Sequence, residues 1–218
     1  MIDLHTHSLF SDGVLIPAEL VQRAKAKGYE ALAITDHADR SNLDWIISRV
    51  VRFCEDFKKK SDFQVIPGIE LTHIPPETIF SLTQEARKLG AKLVVVHGET
   101  IVEPVQLGTN RAALEAGVDI LAHPGLISKT EVLLARDRGI LLEISSRKGH
   151  CLTNGHIAKL AKEVGAPLIL NTDAHSPEDL LDPTQALRVI LGTGLTEADW
   201  KEIKKNTSNL LGKIFTEK

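Results

Sequence analysis

The chain opens MIDLHTHSLFSDG, which brings Asp3, His5, His7 and Asp12 close together in sequence. Imidazoles and carboxylates are the side chains that bind divalent cations and move protons near neutral pH. On a strand over residues 2–7, alternation places Asp3, His5 and His7 on one face and Ile2 and Leu4 on the other, a metal-binding face against an apolar one. The same residue types recur at the ends of short aliphatic runs. AITDH supplies Asp36 and His37, VIPGIE supplies Glu70, and LVVVHGE supplies His97. ILAHPG supplies His123, and LILNTDAH supplies Asp173 and His175. Ser8, Ser145 and Ser146 sit in no G-x-S-x-G elbow, so a serine nucleophile would leave the histidines unexplained. A closed structural zinc site favours four ligands, often thiols, and here the donors are too many and the thiols too few. Water activated by bound cations is the chemistry this residue set points to.

These groups act together only if the chain positions them at one place. The runs that carry them read as strands at Ile2–His5, Ala31–Thr35, Gln64–Leu71, Lys92–His97, Asp119–His123, Ile140–Ile144 and Pro167–Asn171. ILLEISS, the sixth of them, ends in Glu143 and Ser145 and adds no histidine. Helical apolar spacing is predicted over Pro17–Lys27, Asn42–Lys60, Glu77–Leu89, Asn110–Ala116, Lys129–Arg138 and Gly155–Val164. Two further helices fall near Pro183–Leu191 and Glu197–Asn206. Strand–helix alternation predicts a parallel sheet, whose strand C-termini share one face. There is no glycine-rich phosphate fingerprint after the first strand, which weakens a nucleotide-binding doubly wound sheet. Closure of the sheet would bring His5 and His7 to Asp173 and His175, so a closed or nearly closed barrel of seven strands is expected.

The composition fits that reading. The chain has 218 residues, a net charge of −3, 43% hydrophobic residues and 4% aromatic residues. An aliphatic core follows, and the acidic balance argues against a dedicated nucleic-acid binder. No linker or low-complexity tract divides residues 1–218, so a single barrel domain is expected. Cys54 and Cys151 form no CxxC pair, and Cys54 falls in the apolar series of its helix, which places it in the core. No signal peptide and no apolar stretch near about 20 residues is found, so a membrane span is not expected and a reduced, cytoplasmic setting fits.

DLHTHSLFSDG, ITDH, GIE, HGE, AHPG and NTDAH, in that order from Asp3 to His175, resemble the motifs of the PHP (polymerase and histidinol phosphatase) family. EISSRKGHCLTNGH and the small size resemble its stand-alone histidinol-phosphatase-like members. The resemblance implies a distorted, TIM-barrel-like (β/α)7 barrel with three divalent ions. By motif, His5, His7, Glu70 and Asp173 would hold one ion. Glu70 would bridge to a second held by His97 and His123, and Asp12, His37 and His175 would hold a third. In some members a histidine stands where this chain has Asp12; the oxygen donor would favour Mn²⁺ or Fe²⁺ at that position, with Zn²⁺ still suitable.

The implied activity is hydrolysis of a small phosphate monoester, with histidinol phosphate as the candidate metabolite. Glu70 and Asp173 are the candidate catalytic residues, Glu70 by orienting two ions and Asp173 as a ligand that could also move a proton. Asp3 and Asp36 are candidates either to orient ligand imidazoles or to cap loops. Arg147 and Lys148, after the sixth strand, are candidate phosphate contacts, and Arg111, Glu99 and Thr109 candidate contributors. His150 is loop-borne and expected in an outer layer or at the surface, and His73 and His156 are expected to be exposed. The alternatives are a phosphodiesterase or nuclease using the same ions, and a non-catalytic module that keeps them for stability.

Overall fold

The computed structural model describes residues 1–58, 61 and 63–216. Its strand segments are β1 (Ile2–Asp3), β2 (Ala31–Ile34), β3 (His37–Ala38), β4 (Gln64–Leu71), β5 (Leu93–His97), β6 (Ile120–Ala122), β7 (Leu141–Ser145) and β8 (Leu168–Asn171). Every pairing among them is parallel. β2 and β3 form one stave interrupted at Thr35 and Asp36, because both pair with β4 in the same register: Ile34 lies opposite Pro67, and His37 opposite Glu70. The staves therefore run β1-β2/β3-β4-β5-β6-β7-β8. A parallel bridge between Thr6 and Ala174 draws the two edges together. Across the same seam the His7 amide donates to the Ala174 carbonyl at 2.8 Å and the Asp173 amide to the His5 carbonyl at 2.9 Å. The result is a nearly closed seven-stave parallel barrel, the expected α/β, TIM-barrel-like fold.

The surrounding helices are α1 (Pro17–Ala26), α2 (Leu43–Lys58), α3 (Pro76–Lys88), α4 (Thr109–Ala116), α5 (Lys129–Arg138), α6 (Asn154–Val164), α7 (Pro183–Gly192) and α8 (Glu197–Thr216). Their starts follow local chemistry. Pro17, Pro76 and Pro183 occupy first-turn positions, where no intrahelical N–H is needed. Ser128 with Glu131, and Asp182 with Gln185, form capping boxes at the starts of α5 and α7.

Two apolar layers result from the alternation along each stave. Leu32, Ile34, Ile69, Leu71, Val94, Val96, Leu121 and Leu142 face the helices. Leu4, Ala33, Ile66, Val95, Ile120, Leu141 and Ile169 fill the barrel, and Ile214 of α8 joins them. Burying each such Leu or Ile side chain contributes roughly 1.5–3 kcal/mol. Cys54 lies in the outer layer, as expected, and burial pushes its thiol up to about 12.

Three sequence expectations need correction. β1 stops at Asp3, and Ile2 and Leu4 belong to the barrel interior rather than to an outward apolar face. α8 runs ten residues past Asn206, to Thr216. The stretch NTSN has poor helix propensity, and burial of Ile214 against the barrel filling is what extends the helix through it. The predicted Asn42–Lys60 helix is seen as Leu43–Lys58, and residues 59 and 60 lie outside the described set. No described helix is long and apolar enough to cross a membrane.

Candidate metal centre

The stave ends deliver the site. Below it, the interior layer of Ile66, Val95, Leu141 and Ile169 ends; above it, the same parity presents Glu70, His97, Glu143 and Asn171. His123 breaks this parity. Ile120 and Ala122 face inward, so a regular strand would send His123 out, but its φ of 27° turns the chain. Asp173 is likewise left-handed, with φ 53°. Such backbone in non-glycine residues is uncommon and costs about 1–3 kcal/mol, so the surroundings must enforce it.

The sequence-predicted ligands converge. His7, Asp12, His37 and His175 offer donor atoms within 4.8 Å of one another, as do His5, His7 and Glu70, and His5, His123 and Asp173. Glu70 sits between them: Oε1 is 3.4 Å from His5 Nε2 and 3.7 Å from His123 Nε2, while Oε2 is 3.8 Å from His7 Nε2 and 2.6 Å from His37 Nδ1. Asp173 also spans two sides, with Oδ1 3.1 Å from His7 Nε2 and Oδ2 3.6 Å from His123 Nε2. Asp12 Oδ1 lies 3.1 Å from His175 Nε2 and 3.5 Å from His37 Nε2. Donors held about 2.1 Å from one cation sit roughly 3.0–3.4 Å from each other, a spacing met by His5 with Glu70, His7 with Asp173 and His175 with Asp12, with the other pairs within about 0.4 Å of it.

The donor set also passes a test of need. His5 Nε2, both ring nitrogens of His7 and of His123, Glu70 Oε1 and Asp173 Oδ1 are buried without a hydrogen-bond partner. Each such atom costs about 1–3 kcal/mol unless something satisfies it. Cations would satisfy one nitrogen of each ring and the carboxylate oxygens at once. Ring tautomers agree. Nδ1 of His5 is 2.7 Å from Glu143, that of His97 is 3.2 Å from the Gly98 carbonyl, and that of His175 is 2.9 Å from the Asp173 carbonyl. With Nδ1–H donated in this way, the Nε2 lone pair is left for an ion.

Burial opposes charge throughout, and neighbours decide each outcome. Burial pushes His7 and His123 well below the usual imidazole range, with His37 adding to the first and His97 to the second. Burial opposes the His5 cation too, but Glu143, Glu70 and Asp173 outweigh it and hold its pKa well above normal. Burial would raise Glu70, yet His5 and His37 keep it well below the carboxylate range. Asp173 is pushed up to about 7, chiefly by burial.

Of the two roles open to Asp3 and Asp36, both acids take the loop-capping one. Asp3 accepts from the Thr172 hydroxyl at 2.5 Å and from the His5 and Thr172 amides, turning the chain after β1 so that His5 enters the barrel. Asp36 accepts from the amide and hydroxyl of both Ser8 and Ser11, which shapes the loop that carries Asp12. Gly13 closes that loop where a Cβ would stand 2.5 Å from the His7 carbonyl oxygen. Gly125 allows the loops after β5 and β6 to meet, since a Cβ there would lie 1.8 Å from the Glu99 carbonyl oxygen.

The site opens into a cleft of about 250 Å³ lined by Asp12, His37, Thr72, His73, His97, Glu103, Arg147, His150, Asp173 and His175. Arg147 reaches it, with Nε 3.7 Å from Asp173 Oδ2. Lys148 is exposed and does not line the cleft. Arg111 also lies outside it, paired with Glu115 one turn along α4 at 2.8 Å. Glu99 accepts from the Gly108 and Asn110 amides at the start of α4, and the Thr109 hydroxyl donates to the Gln106 carbonyl, so both shape that turn. His156 is held by the Ile127 carbonyl, away from the cleft.

Sequence reasoning undervalued four residues. His150 is 4% exposed and faces the cleft rather than the surface. His73 is exposed as expected, yet it too lines the cleft. Glu143 shares the inward parity of Leu141, a signal present in ILLEISS. Glu103 comes from an irregular loop with no periodicity to announce it; it lies 3.0 Å from His97 Nε2 and 3.1 Å from His73 Nε2.

Comparison with known proteins places this geometry. An uncharacterised protein of Methanocaldococcus jannaschii is 51% identical over 199 residues, covering 90% of this chain and 91% of its own. Among solved structures, a chain in archaeal ribonuclease P with mature tRNA superposes with TM-score 0.73 at 18% identity, covering 98% of this chain and 91% of that one. Histidinol phosphate phosphatase from Lactococcus lactis, in complex with zinc, L-histidinol and phosphate, superposes with TM-score 0.61 at 19% identity, covering 89% and 94%. At those identities the two structures speak for the fold. The PHP domain model matches residues 3–150, so the motifs, the seven-stave barrel and the family model agree: this chain belongs to the PHP domain family.

Proposed function

We propose that this protein is a metal-dependent phosphoesterase that hydrolyses a small phosphate monoester. The observation that carries the reading is the set of buried, unpartnered imidazole and carboxylate atoms at the floor of a cleft that also receives Arg147. His5, His7, Glu70 and Asp173 would hold one ion; Glu70, His97 and His123 a second; and Asp12, His37 and His175 a third. Zn²⁺, Mn²⁺ and Fe²⁺ all suit such mixed nitrogen and oxygen donors. When bound, divalent ions supply Lewis acidity and an activated water.

The chain's own residues do the rest. Glu70 and Asp173 fix ring positions on two sides of the floor, so each governs more than one donor group. Arg147 brings a guanidinium to the rim of that floor, a fork suited to two phosphate oxygens. Asp173, buried beside Arg147 and His150, is placed to hold or return a proton to a leaving alkoxide. The cleft volume suits a phosphorylated metabolite better than a long polymer, and the zinc-, histidinol- and phosphate-bound phosphatase that shares the fold makes histidinol phosphate the first compound to assay.

The fold is also shared with the ribonuclease P chain, so the assay includes a ribonucleotide diester. Protein loaded separately with Zn²⁺, Mn²⁺ and Fe²⁺ is given histidinol phosphate, other monoesters and the diester. Turnover of a monoester well above the diester is expected. Exclusive diester cleavage would replace the substrate class, and inactivity with every ion would favour a non-catalytic module.

A further inference from the structure

His150 and Glu103 have no place in the ligand scheme above, yet both enter the cleft beside His97 and His123. His150 begins a short 3₁₀ turn, His150–Thr153, after β7. Its ring stacks on that of His123, with centroids 4.0 Å apart and planes at 16°. Stacked in this way, two imidazoles present their donor edges side by side. His150 Nδ1 is 2.8 Å from the Thr100 hydroxyl, so Nε2 is the nitrogen turned to the cleft. The Nε2 side faces inward, 3.4 Å from Glu103 Oε1 and 3.9 Å from Asp173 Oδ2.

Donor atoms of His97, His123 and His150 lie within 4.8 Å of one another. Glu103 Oε2 approaches from the loop after β5, 3.0 Å from His97 Nε2. His123 supplies the independent sign that something is held here: it is 1% exposed, and neither of its ring nitrogens has a partner. A solvent-facing salt bridge between Glu103 and the histidines would leave His123 unsatisfied.

We propose that His150 and Glu103 are ion-binding residues, joining His97 and His123 around one divalent cation. This rests on the reading that the His97–His123 side of the floor binds a cation at all. With Glu70, which the same scheme gives to this ion, the set is three imidazoles and two carboxylates, mixed donors that suit Zn²⁺. Glu103 comes from a loop and is 37% exposed, which makes it the ligand most readily exchanged for a phosphate oxygen.

The test is zinc binding by full-length protein, measured by competition with a chromophoric chelator and by metal content after dialysis. Residues that only orient ligands alter affinity about 10–100-fold. Loss of a ligand should therefore exceed that range, weakening one zinc equivalent by more than about 100-fold in His150→Ala and in Glu103→Gln. Cobalt-loaded protein should show altered visible ligand-field bands in the same two variants. His156→Ala, whose ring is held away from the cleft by the Ile127 carbonyl, should leave the affinity unchanged. Far-ultraviolet circular dichroism confirms folding, and His150→Gln replaces His150→Ala if the latter unfolds. If His97→Ala loses an equivalent while the His150 and Glu103 variants keep theirs with unchanged cobalt spectra, the proposal fails and the three-ion reading survives. If folded wild-type protein binds no ion, both fail.

Discussion

His5 Nδ1 lies 2.7 Å from Glu143 Oε2, with both side chains fully buried. The same carboxylate oxygen accepts from Asn171 Nδ2 at 3.0 Å, and Asn171 Oδ1 accepts from the Leu4 amide at 2.9 Å. A continuous chain of hydrogen bonds therefore runs from the backbone just after β1 through β8 and β7 to one candidate ligand. Glu143→Gln keeps an acceptor for His5 but removes the charge. It should retain the fold and weaken one bound ion by about tenfold, at the low end for a partner that orients a ligand. Glu143→Ala also strands two buried donors, at about 1–3 kcal/mol each, and should lower the denaturation midpoint as well. Chelator competition and urea unfolding separate the two effects; equal metal affinity in wild type and both variants would refute the positioning role.

Asp36 controls Asp12 at one remove. Its carboxylate collects four hydrogen bonds from Ser8 and Ser11, one and four residues past His7. Asp36→Asn cannot accept them all, since one of its oxygens becomes a donor. The expected outcome is a stability loss of about 1–3 kcal/mol and preferential loss of the ion assigned to Asp12, His37 and His175. Metal content under graded chelation checks this; uniform weakening of every ion would indicate general loosening instead.

The architecture was legible because each stave end carries its own polar residue after an aliphatic run, so order and spacing alone predicted convergence. His5, His7, His37, His97, His123 and His175 all reach one floor, as does Glu70. Side-chain parity was less legible. It failed at β1, where Asp3 bends the chain, and at His123, which a left-handed backbone that no pattern announces turns inward. Arg111 and Lys148 were proposed for charge and proximity in sequence, and neither lines the cleft. Glu103 lies in a loop, where position follows from tertiary contacts alone, and the pairing of His150 with Thr100 spans fifty residues.

Removal of cations should be visible in stability as well as in activity. The unpartnered atoms of His5, His7, His123, Glu70 and Asp173 are a cost of the folded state that bound ions would relieve. A ligand that binds only the folded form adds about 2.7 kcal/mol when present at one hundred times its dissociation constant. For a chain of this size that corresponds to roughly 5–10 °C in Tm per ion. Calorimetry before and after chelation, with Zn²⁺ restored, should show the midpoint fall and recover. A midpoint indifferent to chelator would mean that these atoms hold no cation.

Arg147 offers the sharpest test of the phosphate reading, because two roles compete for it. Its Nη1 donates to the Asp173 carbonyl at 3.3 Å, which supports the left-handed turn of that residue, and its Nε faces the Asp173 carboxylate at 3.7 Å. A purely structural arginine would affect kcat through Asp173 and leave phosphate affinity alone. A phosphate-gripping arginine would change the inhibition constant of inorganic phosphate and the KM of the substrate together. Loss of a charge-assisted contact predicts about a tenfold weaker inhibition constant in Arg147→Ala, or about 1.4 kcal/mol. Arg147→Lys keeps the charge without the fork and should recover part of the affinity but not all. Unchanged phosphate inhibition in both variants, with kcat reduced, would assign Arg147 to the support of Asp173 and remove it from the substrate site.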